Sequence, residues 1–339
     1  MRWKELESVP RLLIETELEP VQGVRFQPTG FPDIGPAEYR APNDTEMLLV
    51  ESAQSMANHL ERVCWDDARE DLSAPLAGLP YVKSVLSDGG TTNSILEAHR
   101  LNSPYIMRRK GDEIDEEWLR STFPELAEVQ KSKSERALAH AVFRYDTNSV
   151  IHGIFLEKIG GGLRLRRLLS AFIEASDVRP ADSGGIKADR VDPTGKRGGG
   201  AEAGYGHVPF HRREFAAGSL MAYFNLDLAQ LRAYGLGTSA EDLLVALALY
   251  KVQRLLSEPL RLRTACDLRS KRIEVTEPKG WTLPGLKELE DSLPRLIKAC
   301  SGAIAVPPVT QVNWTAPPKK TKQKGETVKD EPEAEGDAE

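Results

Sequence analysis

Apolar and polar side chains alternate in two segments of the chain, and this alternation limits what the chain can fold into. In RLLIETELE, Leu12, Ile14, Thr16 and Leu18 fall on one side, while three glutamates fall on the other. The segment SLMAYFNLDLAQL, which begins at residue 219, alternates in the same way. Because successive side chains of a strand point to opposite faces of a sheet, both segments are predicted to be half-buried strands.

Helical patterns separate these strands from the rest of the chain. After the short apolar run MLLVE, apolar residues recur at helical spacing over residues 53–64, and Ser52 is the predicted N-cap. A second helix is predicted over residues 240–256, with Thr238 and Glu241 at the spacing of a capping box. This second helix is strongly apolar, so we expect it in the core.

Further strand patterns complete the predicted fold. They occur in LRLRRLLSAFIEASDV, which begins at Leu163, and in LRLRTACDL and KRIEVTEP. The order strand, helix, strand, strand, helix, strand predicts an α+β fold, namely a ferredoxin-like (RRM-like) βαββαβ palm. Residues 65–160 have a mostly helical pattern and are predicted to form an insertion. An enlarged, glycine-rich loop is predicted between the second and third strands.

The composition excludes several classes of protein. The longest apolar run, LLVALALY, has eight residues, against the ~20 needed to cross a bilayer, so no membrane span is predicted. The first residues lack the apolar region of a secretory signal, which predicts a cytoplasmic protein.

Cys64, Cys266 and Cys300 lie far apart and form no CxxC pair. We therefore predict buried thiols, and neither a zinc ribbon nor a disulfide framework.

The glycine-rich loop contains GKRGGGAEAGYGHVPFHRREF, residues 195–215. It lacks the first glycine and the hydroxyl residue of a P-loop, which argues against nucleotide hydrolysis. His207 and His211 are four residues apart, but Pro209 lies between them and argues against a zinc-binding helix. Two interpretations stay open for this pair: an acid and base for metal-independent RNA cleavage, or hydrogen-bonding and stacking residues of a hairpin.

The same loop has the composition of a nucleic-acid contact, although the whole chain has a net charge of -6. Between residues 187 and 213, six basic residues stand against three acidic ones, and four rings are interleaved with them. Flat rings among cations suit phosphates and exposed bases. Anchoring of the loop to the body of the protein explains Tyr205 and Phe210 equally well. Glu15 and Glu17 on the first strand argue against recognition of bases on the sheet.

Two predicted helix starts offer further anion sites. Ser52, Gln54 and Ser55 open the first helix, and Thr92 and Asn93 stand at the start of another helical pattern. Free backbone N–H groups at a helix N-terminus attract phosphate. Plain N-capping explains both sets of residues equally well.

Four blocks of the sequence resemble the backbone subunit of the type I CRISPR surveillance complex, Cascade, in its I-G (formerly I-U) subtype. The blocks are RLLIETELEPVQGVRFQPTGFPDIGPAEY, MLLVESAQSMANHLE, TTNSILEAHRLNSPYI and GYGHVPFHRREFAA. The resemblance extends over about residues 10–300. It implies a fold of the RAMP family, with a palm, a helical insertion, and a thumb between the second and third strands.

The resemblance also implies a function. The expected protein is a non-catalytic subunit, without cofactor or metal, that binds CRISPR RNA and polymerises along it with further copies of itself. It would present this guide for pairing with invading target DNA in antiviral defence, beside other subunits of the complex. The corresponding division of the chain is 10–64 for the first half of the palm, 65–160 for the helical insertion, 161–178 for a palm strand, 179–218 for the thumb, 219–300 for the second half of the palm, and 316–339 for a charged, disordered tail.

The expected RNA contacts follow from the resemblance and from the basic and helix-start positions. We expect contacts from Arg25, Gln27 and Thr29 in the first loop, Ser52, Gln54 and Ser55 at the first helix, Thr92 and Asn93 at the second, Arg164 and Arg166 in the palm, and Lys196, Arg197, His207 and His211 in the thumb.

Overall fold

The computed structural model describes residues 3–31, 33–110 and 113–315, so the tail predicted at residues 316–339 lies outside the described residues. The protein is built around an eight-stranded sheet in which all neighbouring strands run antiparallel. Its strands are β1 (Arg11–Pro20), β2 (Gly30–Phe31), β3 (Gly35–Arg40), β4 (Glu46–Glu51), β5 (Leu169–Ser176), β6 (Ser219–Asp227), β7 (Leu260–Arg263) and β8 (Cys266–Glu277).

The described residues also form α-helices and short 3₁₀-helices. The α-helices are α1 (Ala53–Arg62), α2 (Glu116–Thr122), α3 (Pro124–Ser132), α4 (Glu135–Tyr145), α5 (Thr147–His152), α6 (Leu228–Ala233), α7 (Thr238–Leu256) and α8 (Leu286–Ala299). The 3₁₀-helices are Lys4–Leu6, Ala74–Leu76, Arg100–Asn102 and Ala201–Ala203. The protein is therefore mixed α+β, as predicted.

The strands are arranged in the order β7-β8-β1-β6-β5-β4-β3-β2. The chain passes from β1 through α1 to β5, returns along β6, and passes through α7 to β8. Since β6 lies between β1 and β5 and is antiparallel to both, β1 and β5 run in the same direction. The predicted alternation of strands and helices is present in these six elements.

One face of the sheet is covered by helices and forms the core. Leu12, Ile14 and Leu18 of β1 are at most 2% exposed, whereas Leu13 and Glu15 between them point to the other face. Helix α7 is buried along most of its length, as predicted from its composition. The predicted capping box is wrong: α7 begins at Thr238 itself, and the Glu241 N–H donates to the carbonyl of Gly237.

Residues 65–160 are less helical than their pattern predicts. Among the described residues of this stretch, the α-helices are α2 to α5. The part before them contains two 3₁₀-helical turns and the short strands Trp65–Asp66, Asp71–Leu72, Tyr81–Val85, Thr91–Asn93, Arg109–Lys110 and Glu113–Ile114. The strand Tyr81–Val85 pairs in parallel with Val309–Asn313 near the end of the chain. A tertiary partner from so distant a segment overrides the local pattern.

The palm strand predicted at 161–178 begins only at Leu169. The preceding strand, Leu163–Leu165, pairs instead with Ile154–Leu156 in a separate hairpin. Gly153 precedes this hairpin with a φ of 79°, and a Cβ there would lie 2.9 Å from the backbone of Leu165 and Arg167. Only glycine fits this close approach at the start of the hairpin.

The three cysteines are buried free thiols, as predicted. Burial raises the pKa of all three, to about 11 for Cys266 and Cys300. A thiol held protonated in this way is a poor nucleophile, so the cysteines contribute packing.

Candidate nucleic-acid interface

Residues 179–218 leave the sheet after β5 and return to it at β6, and we call them the arm. At its base, Arg179–Pro180 pairs with Phe215–Ala216, which pairs in turn with Arg25–Phe26. Beyond the base, Ser183–Lys187 and Val208–Arg212 form an antiparallel hairpin. The arm is therefore joined through its base to the loop that contains Arg25, although the two are far apart in the sequence.

Two carboxylates organise the tip of the arm, residues 188–207. Asp189 accepts the backbone N–H groups of Val191, Asp192 and Gly206 at 2.8–3.1 Å. These hydrogen bonds stabilise its charged form and lower the pKa of Asp189. Asp192 accepts the Arg197 N–H at 2.7 Å. The N–H groups that a phosphate-binding loop would offer are thus already occupied at these positions.

The tip presents cations and a ring around a hollow of about 710 Å³. Its lining includes Lys187, Arg190, Arg197 and Tyr205, and the Tyr205 side chain is 48% exposed. The predicted residue Lys196 is exposed nearby. In the described part of the chain, none of these four cations forms an ion pair. Free cations beside an exposed ring are suited to a phosphate backbone and its bases.

The structure does not bring His207 and His211 together. The His207 Nδ1 accepts the Asp189 N–H at 3.1 Å, and the His211 Nε2 lies 3.9 Å from an Asp182 oxygen. Four residues of extended chain place the two α-carbons about 13 Å apart. An acid and a base that act on one phosphate must both reach it, so this separation argues against a joint site.

The loop that contains Arg25, Gln27 and Thr29 is held in place by Arg263. The Arg263 guanidinium donates to the carbonyls of Gln27, at 3.1 Å, and Val50, at 3.2 Å. It also forms an ion pair with Glu51, which is 1% exposed. The Thr29 N–H donates to the Val50 carbonyl at 2.9 Å. The loop therefore lies beside the end of β4, directly before α1.

At the base of the arm, the predicted contact residue Arg25 is already paired. Its guanidinium lies 3.1 Å from a carboxylate oxygen of Glu214, and the side chain remains about half exposed. Glu214 itself is buried and also lies 3.8 Å from Arg212. Two arginines share one carboxylate, so positive charge remains in excess where the arm meets this loop.

The start of α1 has the predicted cap. The Ser52 hydroxyl accepts the Ser55 N–H at 3.3 Å. The Arg167 guanidinium lies against this first turn and donates to the Ala53 carbonyl at 2.7 Å and the Gln54 side chain at 2.8 Å. Burial and the charge of Arg100 lower the pKa of Arg167. A cation and free N–H groups at one helix end attract an anion.

These residues form one surface, which we call the α1-cap surface. It contains two of the three residues predicted in the first loop, two of the three predicted at the first helix, and one arginine that was not predicted. Its members are Gln27, Thr29, Ser52, Gln54 and Arg167.

Sequence reasoning missed the two arginines that organise this surface. Arg167 directly follows the predicted contacts Arg164 and Arg166, and Arg263 stands in the basic stretch from Arg261 to Arg272. Their charge was visible in the sequence. Their partners were not, because each arginine binds backbone more than 100 positions away.

Thr92 and Asn93 do not begin a helix, so that prediction is wrong. They end a short strand, and the following residues form turns. The Asn93 side chain is buried and accepts the N–H groups of Ile95 and Leu96, a turn that satisfies the donors without a helix. The Thr92 hydroxyl donates to Glu97. Neither side chain lies on the α1-cap surface.

Arg164 and Arg166 lie outside the main sheet, in and after the hairpin strand Leu163–Leu165. The Arg164 guanidinium lies 5.2 Å from the centre of the Phe155 ring, and Arg166 is exposed. Arg166 precedes Arg167, so it stands closer in the chain to the α1-cap surface. The expectation that both reach phosphates from a palm strand does not match this placement.

The described residues offer neither a cluster of metal ligands nor a membrane-spanning helix. Within residues 3–31, 33–110 and 113–315, no three metal-ligating side chains form a cluster. Across the same residues, no helix is both long and apolar enough to span a membrane.

Comparison with known proteins gives a match to a family model over about half of the chain. Residues 12–180 match the model of the family described as CRISPR-associated protein GSU0053. The predicted resemblance to CRISPR-associated proteins is confirmed. No curated protein matches the chain.

Several solved CRISPR structures are similar to the chain at 12–13% identity. One is a chain of a CRISPR RNA-guided surveillance complex in a pre-nicking state, with 12% identity, a TM-score of 0.43, and coverage of 85% of this chain and 88% of that one. Another chain of such a complex has 13% identity, a TM-score of 0.35, and coverage of 85% and 84%. Csc2 from Thermofilum pendens has 12% identity, a TM-score of 0.30, and coverage of 86% and 76%.

Proposed function

We propose that the protein is a CRISPR RNA-binding backbone subunit of a type I surveillance complex. It polymerises along the guide RNA and presents it for pairing with invading DNA in antiviral defence. The observation that carries this proposal is the arm, which emerges between β5 and β6 and is joined at its base to the loop beside the α1-cap surface. The family match over residues 12–180 supports it.

In this proposal the central unit is a ferredoxin-like palm. The order β8-β1-β6-β5, with α1 and α7 as the crossovers, supports this assignment because a βαββαβ unit with one helix-covered face has this arrangement. The arm, residues 179–218, is the thumb. Residues 65–160 are the insertion, and residues 10–64, 169–178 and 219–300 contribute the palm.

The guide RNA backbone would run from the arm to the α1-cap surface. Arg167 and the α1 N-terminus supply positive charge at one end, and Arg25, Lys196 and Arg197 supply it at the other. Tyr205 and the two histidines offer rings on which splayed bases stack. Glu15 and Glu17 keep phosphates off the opposite face of the sheet. RNA is therefore held by loops and the arm.

The role is one of binding and assembly, without catalysis or a cofactor. Further copies of the chain line up along the guide, other subunits complete the complex, and target DNA is recognised through the guide bases. The alternative of an RNA-cleaving pair, His207 and His211, is disfavoured by their separation along the strand.

Binding to a CRISPR RNA over a salt series tests the phosphate contacts. Each neutralised phosphate steepens the dependence of log affinity on log salt by about one unit. Arg167→Ala is expected to reduce this slope by about one, whereas the control Arg120→Ala, an exposed residue of α2, should leave it unchanged. An affinity that hardly changes with salt in the unaltered protein would contradict the proposal.

Deletion of Gly198–Gly206 tests the arm. We expect the deleted protein to keep its melting temperature but to lose ordered assembly on guide RNA, because the tip does not contribute to the core. Native mass spectrometry of the RNA complex measures the number of copies. A single copy on each RNA in the unaltered protein would refute the polymer, and normal assembly after the deletion would refute the role of the arm in it.

A further inference from the structure

The sheet has a second face, opposite α1 and α7, which we call the outer face. Its apolar side chains are half-buried, yet they belong neither to the hydrophobic core nor to the partly buried side chains that pack against the core. They come from neighbouring strands and alternate with core residues: Leu13, Met47, Leu49, Phe172, Met221 and Tyr223. An apolar patch of this kind on a sheet marks a contact surface.

A stacked ring pair lies near the middle of the outer face. Phe172 of β5 and Tyr223 of β6 are direct cross-strand partners, with ring centres 5.0 Å apart and planes inclined by 26°. Glu15 of β1 is the partner of Tyr223 on its other side, and Glu174 lies two residues beyond Phe172. The rings are thus flanked by a carboxylate on each side.

These two carboxylates have hydroxyl partners and no cation in the described part of the chain. The Tyr39 hydroxyl donates to Glu174, and the Thr276 hydroxyl donates to Glu15 at 3.2 Å. Glu17, farther along β1, differs because Lys271 lies 2.9 Å from it. Burial and the two charges, Glu15 and Glu174, raise the pKa of Tyr223, which places negative potential beside the ring pair.

The chemistry of this cluster selects a cation with a flat apolar face. An arginine guanidinium stacks on aromatic rings and donates to carboxylates on either side, whereas a phosphate backbone would be repelled. The surrounding Leu13, Leu49 and Met221 would cover the apolar part of a polypeptide. The occupant that fits both features is an arginine-bearing protein segment.

We propose that the outer face docks a cationic segment of a different protein, whose arginine stacks on Phe172 and Tyr223 between Glu15 and Glu174. The choice of a different protein over a second copy rests on the proposed function, which already assigns the exposed cations of the arm to RNA. The docking surface itself follows from the geometry alone.

Calorimetric titration of the full-length protein with a synthetic Gly-Arg repeat peptide tests the proposal. A matched peptide with citrulline in place of arginine keeps the shape and removes the charge. We expect the arginine peptide to bind at least about tenfold more tightly, since both ring stacking and charged hydrogen bonds need the cation. Equal binding of the two peptides, or no binding of either, overturns the proposal.

Single-residue variants test whether the arginine peptide binds at the ring pair. Tyr223→Leu keeps an apolar side chain, and Glu174→Gln keeps its shape, so neither removes a core contact. Each is expected to weaken the arginine peptide about threefold to tenfold. The controls Glu116→Gln and Glu128→Gln remove the same charge from α2 and α3, and should have no effect. Equal losses in the variants and the controls would show attraction by net charge alone and overturn the site.

Two further measurements test whether a second copy of the chain, or RNA, occupies the outer face instead. If the protein alone self-associates in sedimentation and Glu174→Lys abolishes this, the occupant is a second copy and the proposal is wrong. It is equally wrong if Tyr223→Leu weakens guide RNA binding as much as Arg167→Ala does. If arginine-dependent peptide binding at the cluster persists while the unaltered protein fails to bind guide RNA, the proposed function fails and the docking surface stands.

Discussion

A carboxylate accepts several hydrogen bonds both at the C-terminal end of α1 and at the tip of the arm, but the two differ in depth. Glu61, 6% exposed, accepts hydrogen bonds from Nε and Nη2 of Arg100, at 2.6 and 2.9 Å, and from the Asn148 side chain at 2.7 Å. Asp189 accepts three backbone N–H groups in the same way, but near the surface. One carboxylate joins several elements of the core, and the other closes a single loop.

The buried cluster extends beyond Glu61. Lys251 of α7 is fully buried and donates to the Asn148 side chain at 2.6 Å and to the His152 Nε2 at 3.0 Å. Burial and the charges of Lys251 and Arg100 lower the pKa of His152 well below its usual range, so its ring is neutral and accepts this hydrogen bond. Depth therefore decides what a carboxylate does: it fixes the fold when buried, and it leaves neighbouring groups available when it lies near the surface.

The largest expected effect is that of removing the buried carboxylate. Glu61→Ala leaves Arg100 buried without its counter-charge, which costs about 3–5 kcal/mol in the free energy of unfolding. Denaturant unfolding measures this. The control Glu116→Ala removes an exposed partner of Arg120 and should cost at most about 1 kcal/mol. If the two variants lose the same free energy of unfolding, burial does not decide how much a carboxylate contributes to stability.

A double variant sharpens this test. Replacing both partners, as in Glu61→Leu with Arg100→Met, removes the stranded charge and should recover much of the lost stability. A double variant no more stable than Glu61→Ala would show that the cluster contributes through its packing.

A smaller effect is expected from a second buried acid near this cluster. Burial raises the pKa of Asp146 from its ordinary value of 3.8 to about 6. The folded state then holds this proton more tightly than the unfolded state, so the contribution of Asp146 to stability is full below pH 3.8 and is lost as pH rises towards 6. Unfolding of the unaltered protein and of Asp146→Asn across this range should diverge, with the variant less sensitive to pH. Parallel curves would contradict the assignment.

Much of the fold was predictable because its signals are local. The alternation of β1 and β6 and the apolar composition of α7 identify these elements, and Ser52 caps α1 as its position predicts. The misplaced elements are those with distant partners. Tyr81–Val85 is a strand because Val309–Asn313 lies beside it, and no window around residue 81 contains that information.

The candidate site was predictable to a similar extent. The basic stretches that contain Arg167 and Arg263 were visible, but the surface they build depends on backbone carbonyls from the other half of the fold. At Asn93 a site was predicted that the structure does not support. An asparagine that accepts two N–H groups in a turn stands in the same local sequence as an asparagine at a helix start. Local chemistry identified charge, and tertiary contacts decided which charges form a surface.

The smallest expected effect is at Asp189, the carboxylate near the surface. Asp189→Ala removes the acceptor of three N–H groups at the tip of the arm, but no core residue depends on them. We expect an unchanged melting temperature together with faster hydrogen exchange at Val191, Asp192 and Gly206, because a loop that loses its hydrogen bonds opens locally. The control Asp182→Ala removes a carboxylate that lies 3.9 Å from the His211 ring, outside the tip, and should leave hydrogen exchange at the tip unchanged. A drop in melting temperature would mean that the tip is coupled to the core, and the contrast with Glu61 would no longer hold.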